Sequence, residues 1–460
     1  MLGALATLGA LAVVVNASPL SSRAAGCDTV DQGYQCQPQI SHFWGQYSPY
    51  FSVPSEISAE LPECCEVTFA QVLSRHGARD PTASKTALYN ATINKIHSKV
   101  KNYTKDYEFI KKYEYTLGAD ELTLFGEQEM INSGIKFFER YQELSERFVP
   151  FVRSSGENRV VESAMNWTQG FHQAKLADRR SRQDSYPYPI VAISEANGSN
   201  NTLNHGLCTS FENGSDSKIA SSAQAKWQAI FTPPIQARLN ANLPGANLST
   251  TEVIYMMDLC PFNTVASPDG TISPFCSLFN ETEWHQYNYY NSLNKFYGYS
   301  FGNPLGPTQG VGFANELIAR LTHEKVEDET STNHTLDDNP ATFPLGRRLY
   351  ADFSHDSDMV AALSALGIFN GTTLPTNAVV EAPQGNGYSA AWSVPFAARI
   401  YIEKMECGDE DDELVRIIVN DRVVPLPQCD SDEFGRCTVD DFIDSLQFAR
   451  SGGHWDQCFV

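Results

Sequence analysis

The chain has 460 residues, 42% of them hydrophobic and 11% aromatic, enough to bury a large core and to form two domains. Its 33 Lys and Arg stand against 55 Asp and Glu, a formal charge of -22 that argues against nucleic acid or an anionic membrane as a partner. An anionic substrate would then need a locally basic pocket, which charge screening over about 8 Å at physiological salt permits.

Residues 2–15 form an apolar run without charge, and Val15, Asn16 and Ala17 resemble the small-residue pattern before a signal-peptidase cut. Residues 1–17 are therefore read as a signal peptide, with the mature chain starting near Ser18. The run is short for a membrane span, and no second stretch is long enough to anchor the protein. Sequons at Asn90, Asn102, Asn166, Asn197, Asn200, Asn213, Asn247, Asn280, Asn333 and Asn370 point independently to a secreted, extracellular glycoprotein. The 11 cysteines lack the paired C-x-x-C spacing of zinc sites, so disulfides in an oxidising compartment are expected. The odd count leaves one over, Cys64 and Cys65 are too close to bridge each other without strain, and the spacings alone leave the connectivity open.

Residues 27–65 read as irregular, with Pro38, Pro49, Pro54 and Pro62 and an aromatic segment from His42 to Phe51. From Glu66 the chain is apolar and β-prone, then breaks into Arg75, His76, Gly77, Ala78 and Arg79. Two arginines flanking a histidine, with a glycine that admits close backbone approach, suit a multiply charged oxyanion, and this position after a strand is where open α/β sheets bind ligands. The stretch Leu122–Phe148 has apolar residues near helical spacing and predicts one long amphipathic helix. Residues 147–171 repeat the plan of strand, polar turn and helix, the β-prone stretch breaking into Arg153, Ser154, Ser155 and Gly156, with Arg159 in the first helical turn. A strand is expected over Tyr188–Ser194, and helices over Ser222–Phe231 and Glu283–Tyr297.

The segment 302–312, GNPLGPTQGVG, lacks the Gly-Lys-Ser/Thr ending of a phosphate loop and reads as a structural turn. Residues 347–367 return to strand and helix, with His355 and Asp356 at the junction, and further strands are expected over Ala398–Met405 and Val415–Val419. The acidic run Glu406–Glu413 reads as a solvated hairpin loop rather than a metal site. These elements predict an α/β fold: a large domain, 27–200 and 345–460, with a central, mainly parallel sheet flanked by helices, and a smaller, mainly helical inserted domain, 201–344.

Three strand-to-helix junctions thus carry Arg75, His76 and Arg79, then Arg159, then His355 and Asp356. A parallel sheet would gather them at one edge, where helix N-termini add donors for an anion. Three guanidiniums can balance the charge of a transferring phosphoryl group without a metal, one neutral imidazole can attack phosphorus, and Asp356 can protonate the leaving oxygen. No cofactor and no metal are needed.

The motif RHGARDPT with the later HD pair resembles the histidine acid phosphatases. The segments LGADELTLFGEQEM, GNPLGPTQGVGFANELIARLTH, ADFSHD and VNDRVVPL extend that likeness to the secreted filamentous-fungal phytases, continuously from about Cys27 to Cys458. The resemblance implies a phosphoric monoester hydrolase acting on phytate (myo-inositol hexakisphosphate) at acidic pH. It implies His76 as the nucleophile that becomes phosphohistidine and Asp356 as proton donor. Arg75, Arg79, Arg159 and His355 would hold the scissile phosphate, and Gln46, Tyr47, Thr82, Lys85 and Lys295 would contact substrate. It also implies the disulfides Cys27 with Cys36, Cys65 with Cys407, Cys208 with Cys458, Cys260 with Cys276, and Cys429 with Cys437, which leaves Cys64 unpaired. Asp80 stands where these phytases usually carry an aromatic residue, and Leu88 and Asn294 where some carry rim lysines. A broad acid phosphatase is therefore the alternative enzyme reading; a mutase of the wider superfamily and a non-enzymatic secreted glycoprotein stand behind it. The partner expected is a small phosphate ester, and the expected state is a monomer.

Overall fold

The computed structural model describes residues 27–36, 38–408 and 412–459. The signal-peptide segment lies outside these residues. Near the start, β1 (Asp28–Thr29) and β2 (Gly33–Tyr34) form a small antiparallel pair. The main sheet contains β3 (Cys65–Arg75), β4 (Phe151–Ser155), β5 (Ile190–Ile193), β6 (Leu349–Ser354), β7 (Arg399–Cys407), β8 (Leu414–Val419), β9 (Arg422–Val424) and β10 (Arg436–Thr438). Their order is β10-β8-β7-β3-β6-β4-β5, with β9 beside β8.

The expectation of a mainly parallel sheet needs correction. β3, β6, β4 and β5 are parallel, but β7, β8, β9 and β10 are added antiparallel. The cause is connection length: β8 and β9 are separated by only Asn420 and Asp421, and so short a return can join only antiparallel neighbours. The parallel half, whose connections are helical, puts the carboxyl ends of β3, β4 and β6 side by side, with Arg75 opposite Ser354 and Ser154 opposite Phe353.

The alternation of β3 sorts its side chains onto two cores. Ala70 and Val72 join Phe137, Trp167 and Phe353 under the helices Leu124–Arg140 and Asn158–Ala177. Phe69 and Leu73 face the other way, into the larger core shared with the helices Thr250–Ala266 and Glu281–Tyr299. Both of those helices start with a reciprocal capping box, Ser249 with Glu252 and Asn280 with Glu283.

Among the described residues no strand lies between Ile193 and Leu349. The long helix expected over Leu122–Phe148 is two: Leu124–Arg140, capped by Thr123 at the Gly126 amide, then a short turn of helix at Gln142–Ser145. The helix expected over Ser222–Phe231 is longer, Ile219–Asn242, and runs through Pro233 and Pro234. The prolines remove the amides that would bond the Ala229 and Ile230 carbonyls, but both residues are exposed, so water can satisfy them. The structure pairs Cys27 with Cys36, Cys65 with Cys407, Cys208 with Cys458, Cys260 with Cys276 and Cys429 with Cys437; Cys64 is free and exposed. No helix among the described residues is long and apolar enough to cross a membrane.

Candidate active site

The turn after β3 is pressed against the start of the Leu124 helix. A Cβ on Gly77 would lie 2.3 Å from the Gly126 carbonyl oxygen, so only glycine fits that crossing. The turn's backbone is tied down from below: the Gly77 amide donates to Ser163 Oγ at 3.1 Å, and the Ala78 amide donates to Glu129 Oε2 at 2.9 Å. Glu129 Oε1 also accepts the Tyr50 amide at 2.9 Å, which binds the N-terminal aromatic segment to the same support. Burial raises the Glu129 carboxyl to about 8, with Asp28 adding to the effect.

On this support the His76 ring is buried, and its Nδ1 lies 2.8 Å from the Gly77 carbonyl oxygen. A carbonyl only accepts, so Nδ1 carries the hydrogen and Nε2 keeps its lone pair. Burial, then the positive fields of Arg75, Arg159 and Arg79, hold the ring's pKa well below its ordinary value. The imidazole therefore stays neutral in acid where an exposed histidine would be charged.

Three buried guanidiniums surround it. Arg75 donates to the carbonyls of Gln46 and Val394 and lies 4.5 Å above the Phe396 ring, while its Nη2 is 3.0 Å from Asp356 Oδ2. Arg79 donates to the Asp80 carbonyl, and Arg159 to Glu157. The Nε atoms of all three are buried without a hydrogen-bond partner in the protein. Burying cations without compensation is costly, and three that converge on one imidazole mark a place for a multiply charged anion.

Asp356 begins its helix, Asp356–Ala365, with Oδ1 accepting the Ser357 amide at 2.9 Å and lying 3.2 Å from Lys295 Nζ. Burial raises its pKa, but Arg75, Lys295, His76 and Arg79 outweigh that and hold it well below the usual carboxylate range. His355 puts its ring 5.7 Å from that of His76, and its Nε2 lies 3.0 Å from Glu195 Oε1.

A model of the histidine phosphatase superfamily (branch 2) matches residues 66–420, which run from the start of β3 through β8 and hold His76, the three arginines, His355 and Asp356. The chain belongs to this family. It is 53% identical over 454 residues to a phytase A of Aspergillus oryzae, covering 97% of each chain. It is 54% identical over 448 residues to a phytase A of Aspergillus awamori, covering 96% of this chain and 95% of that one. The crystal structure of the phytase from D. castellii shares the fold, with a TM-score of 0.73 at 24% identity over 91% of this chain and 87% of that one.

The remaining residues singled out in this histidine phosphatase divide by position. Lys295 is buried, donates to Ser357 Oγ at 3.0 Å and belongs to the Asp356 cluster. Gln46 is buried, its carbonyl on Arg75 and its amide on Asn291. Tyr47 packs at a tilt against Phe262 and Phe396, and burial, with Asp258, pushes its hydroxyl up to about 12, so it remains a donor. Lys85 is half-buried with its ammonium 5.2 Å from the Tyr255 ring, and the Thr82 hydroxyl lies 3.3 Å from that of Ser84. These last two stand at the rim, not in the cluster. Asp80 turns toward the Gly118 amide, and burial raises its pKa. Arg153 is remote in function: it is fully engaged beneath the sheet edge with Asp352 and Glu316.

Sequence reasoning missed Ser163, Glu129, Asp258, Glu157 and Glu195. Asp258 is buried, accepts hydroxyls from Tyr89 and Tyr287, and has its pKa raised by burial. Glu157 and Glu195 with His355 have donor atoms within 4.8 Å of one another, a spacing that could hold a divalent ion. The visible signal for Glu157 was an acid two residues before Arg159 at a helix start.

Proposed function

We propose that the protein is a secreted phytase that hydrolyses phosphate monoesters of myo-inositol hexakisphosphate in acid through a phosphohistidine. The observation that carries this reading is the convergence of three incompletely paired guanidiniums on a buried, neutral imidazole, opposite a carboxyl group. Arg75, Arg79, Arg159 and His355 hold the phosphoryl oxygens. His76 Nε2 attacks phosphorus, the bond from phosphorus to the ester oxygen breaks, and Asp356 gives its proton to the departing alkoxide. Water then attacks the phosphohistidine, Asp356 takes a proton from it, and inorganic phosphate leaves with His76 restored.

Asp356 is ionised in the free protein, so the incoming phosphate dianion and low pH must restore its proton; activity falls above neutrality for that reason. Lys295, Gln46, Tyr47, Thr82 and Lys85 are assigned to the rest of the substrate. The names of the related phytases support the substrate, and the disulfides and sequons support secretion. The strand-free stretch supports a helical insert, 201–344, within an α/β domain, 27–200 and 345–460.

The test is detection of labelled phosphate on the protein at short reaction times after an alkaline quench, which preserves a phosphoramidate. Wild type is expected to carry label and to consume phytate, whereas His76→Ala does neither and loses turnover by roughly 10⁴-fold or more. Label that persists in His76→Ala, or phytate left intact by wild type at acidic pH, overturns the reading. A broad acid phosphatase is favoured by one observation: the rim positions Leu88, exposed, and Asn294, bonded to Gln224, supply no cation. Comparing kcat/KM on phytate and on an aryl phosphate decides between the two.

A further inference from the structure

Glu157 stands immediately before the Asn158–Ala177 helix with extended backbone, where a side chain would normally cap the first turn, yet its carboxylate caps nothing. It turns instead into the anion cradle. Oε1 accepts from Arg159 Nη1, and Oε2 lies 3.6 Å from His355 Nε2. Its own amide donates to Glu195 Oε1 at 3.0 Å, which fixes the backbone while the side chain remains 37% exposed. Arg159 and His355 are the two groups through which the cradle closes on the phosphate from the β4 and β6 sides. A carboxylate bonded to Arg159 and standing 3.6 Å from His355 takes the place of a phosphoryl oxygen.

We propose that Glu157 is an intramolecular competitor for the phosphate site: it occupies Arg159 and His355 when the site is free, is displaced by an arriving phosphoryl group, and returns as product phosphate leaves. This inference rests on the phosphatase reading for its substrate, but the binding of phosphate that it describes can be measured without turnover. The geometry allows the exchange. Arg159 Nε is buried without a partner, so the guanidinium has donors beyond the one given to Glu157. The exposed side of the carboxylate opens to water, so leaving the cradle costs no burial of charge. Glu195 stays behind to orient His355, because its bond to Nε2 does not involve Glu157. The effect is to weaken affinity for substrate and for inorganic phosphate alike, which limits inhibition by product.

Glu157→Gln keeps the shape and removes the charge, and Glu157→Ser removes the carboxylate while placing a good cap at the helix start. A partly exposed ion pair is worth enough to change binding by roughly twofold to fivefold. Calorimetry with inorganic phosphate is expected to show tighter binding by that factor in both variants, with KM and the inhibition constant of phosphate falling together and kcat not rising. Glu157→Ser is also expected to melt no lower than wild type. Unchanged or weaker phosphate binding in both variants overturns the proposal, since it would make Glu157 a positioning residue for Arg159. Wild type that binds phosphate but does not turn over phytate would overturn the functional reading alone, and the binding comparison would still decide this one.

Discussion

Two groups of buried arginines lie at and beneath the same edge of the parallel strands and differ in what they face. Beneath the edge, Arg153 holds Asp352 at 2.9 Å and Glu316 at 2.6 Å, and Arg320 reaches Asp352 at 2.6 Å. Burial raises the Asp352 pKa, but Arg153 and Arg320 outweigh it and keep the carboxylate ionised. At the edge itself, the ion pairs of Arg75, Arg79 and Arg159 among the described residues are those of Arg75 with Asp356 and of Arg159 with Glu157. The first group balances its charge internally and can only hold the fold together. The second leaves positive charge for something that arrives.

Breaking the balanced group should therefore cost stability, not chemistry. Asp352→Ala leaves the buried Arg320 without its ion pair and Arg153 with Glu316 alone, and is expected to lower stability by about 3–5 kcal/mol, read as a large fall in Tm, while folded protein keeps a near-normal kcat. Arg79→Met should do the reverse. Its loss is expected to reduce kcat/KM by about 10²–10³, the usual worth of one charge-stabilising donor, with little change in Tm. If either variant shows the other's pattern, the division between the two groups is wrong.

Lys295 belongs to the edge group but acts on Asp356. Because Arg75 and Lys295 hold that carboxyl down, Lys295→Met raises its pKa and should move the alkaline limb of the kcat/KM profile upward by about one pH unit. A downward shift would contradict the role of Asp356 as acid. The smallest effect concerns His205, beside the edge, where burial is outweighed by Asp358 and Glu212 and the pKa is raised from 6.5 to about 9. A raised folded pKa gives stability that is full below the unfolded value and lost as pH climbs through the folded one. Stability should thus decline between about pH 6.5 and 9, and His205→Asn should flatten that part of a Tm-against-pH curve.

Much of the edge was legible because it lies at transitions between patterns. β3 ends at Arg75, β4 precedes Arg159 and β6 ends before His355, and each break from apolar run to polar turn is written locally. The support was not legible, since Glu129 and Ser163 lie within helices whose pattern assigns them no direction, and their partners are backbone amides 51 and 86 residues away. Lys295 illustrates the same limit. Its surroundings in sequence suit a surface helix, and only the approach of Asp356 and Tyr299 buries it. Sheet polarity was misjudged because strand patterns carry burial but not direction, and the antiparallel half declares itself through its short return between β8 and β9.

The neighbours of β3 are made late. Leu73 pairs with Asp352 on one side and Ile400 on the other, and both are translated long after it. At roughly 5–20 residues per second, a nascent chain carries this strand, with both edges open and its arginines unanswered, for some tens of seconds. The enzyme is thus assembled by its final third, and a ribosome that stalls before residue 356 holds every cradle arginine but no catalyst. Edge-shielding chaperones in the compartment of synthesis would have their longest engagement with this strand.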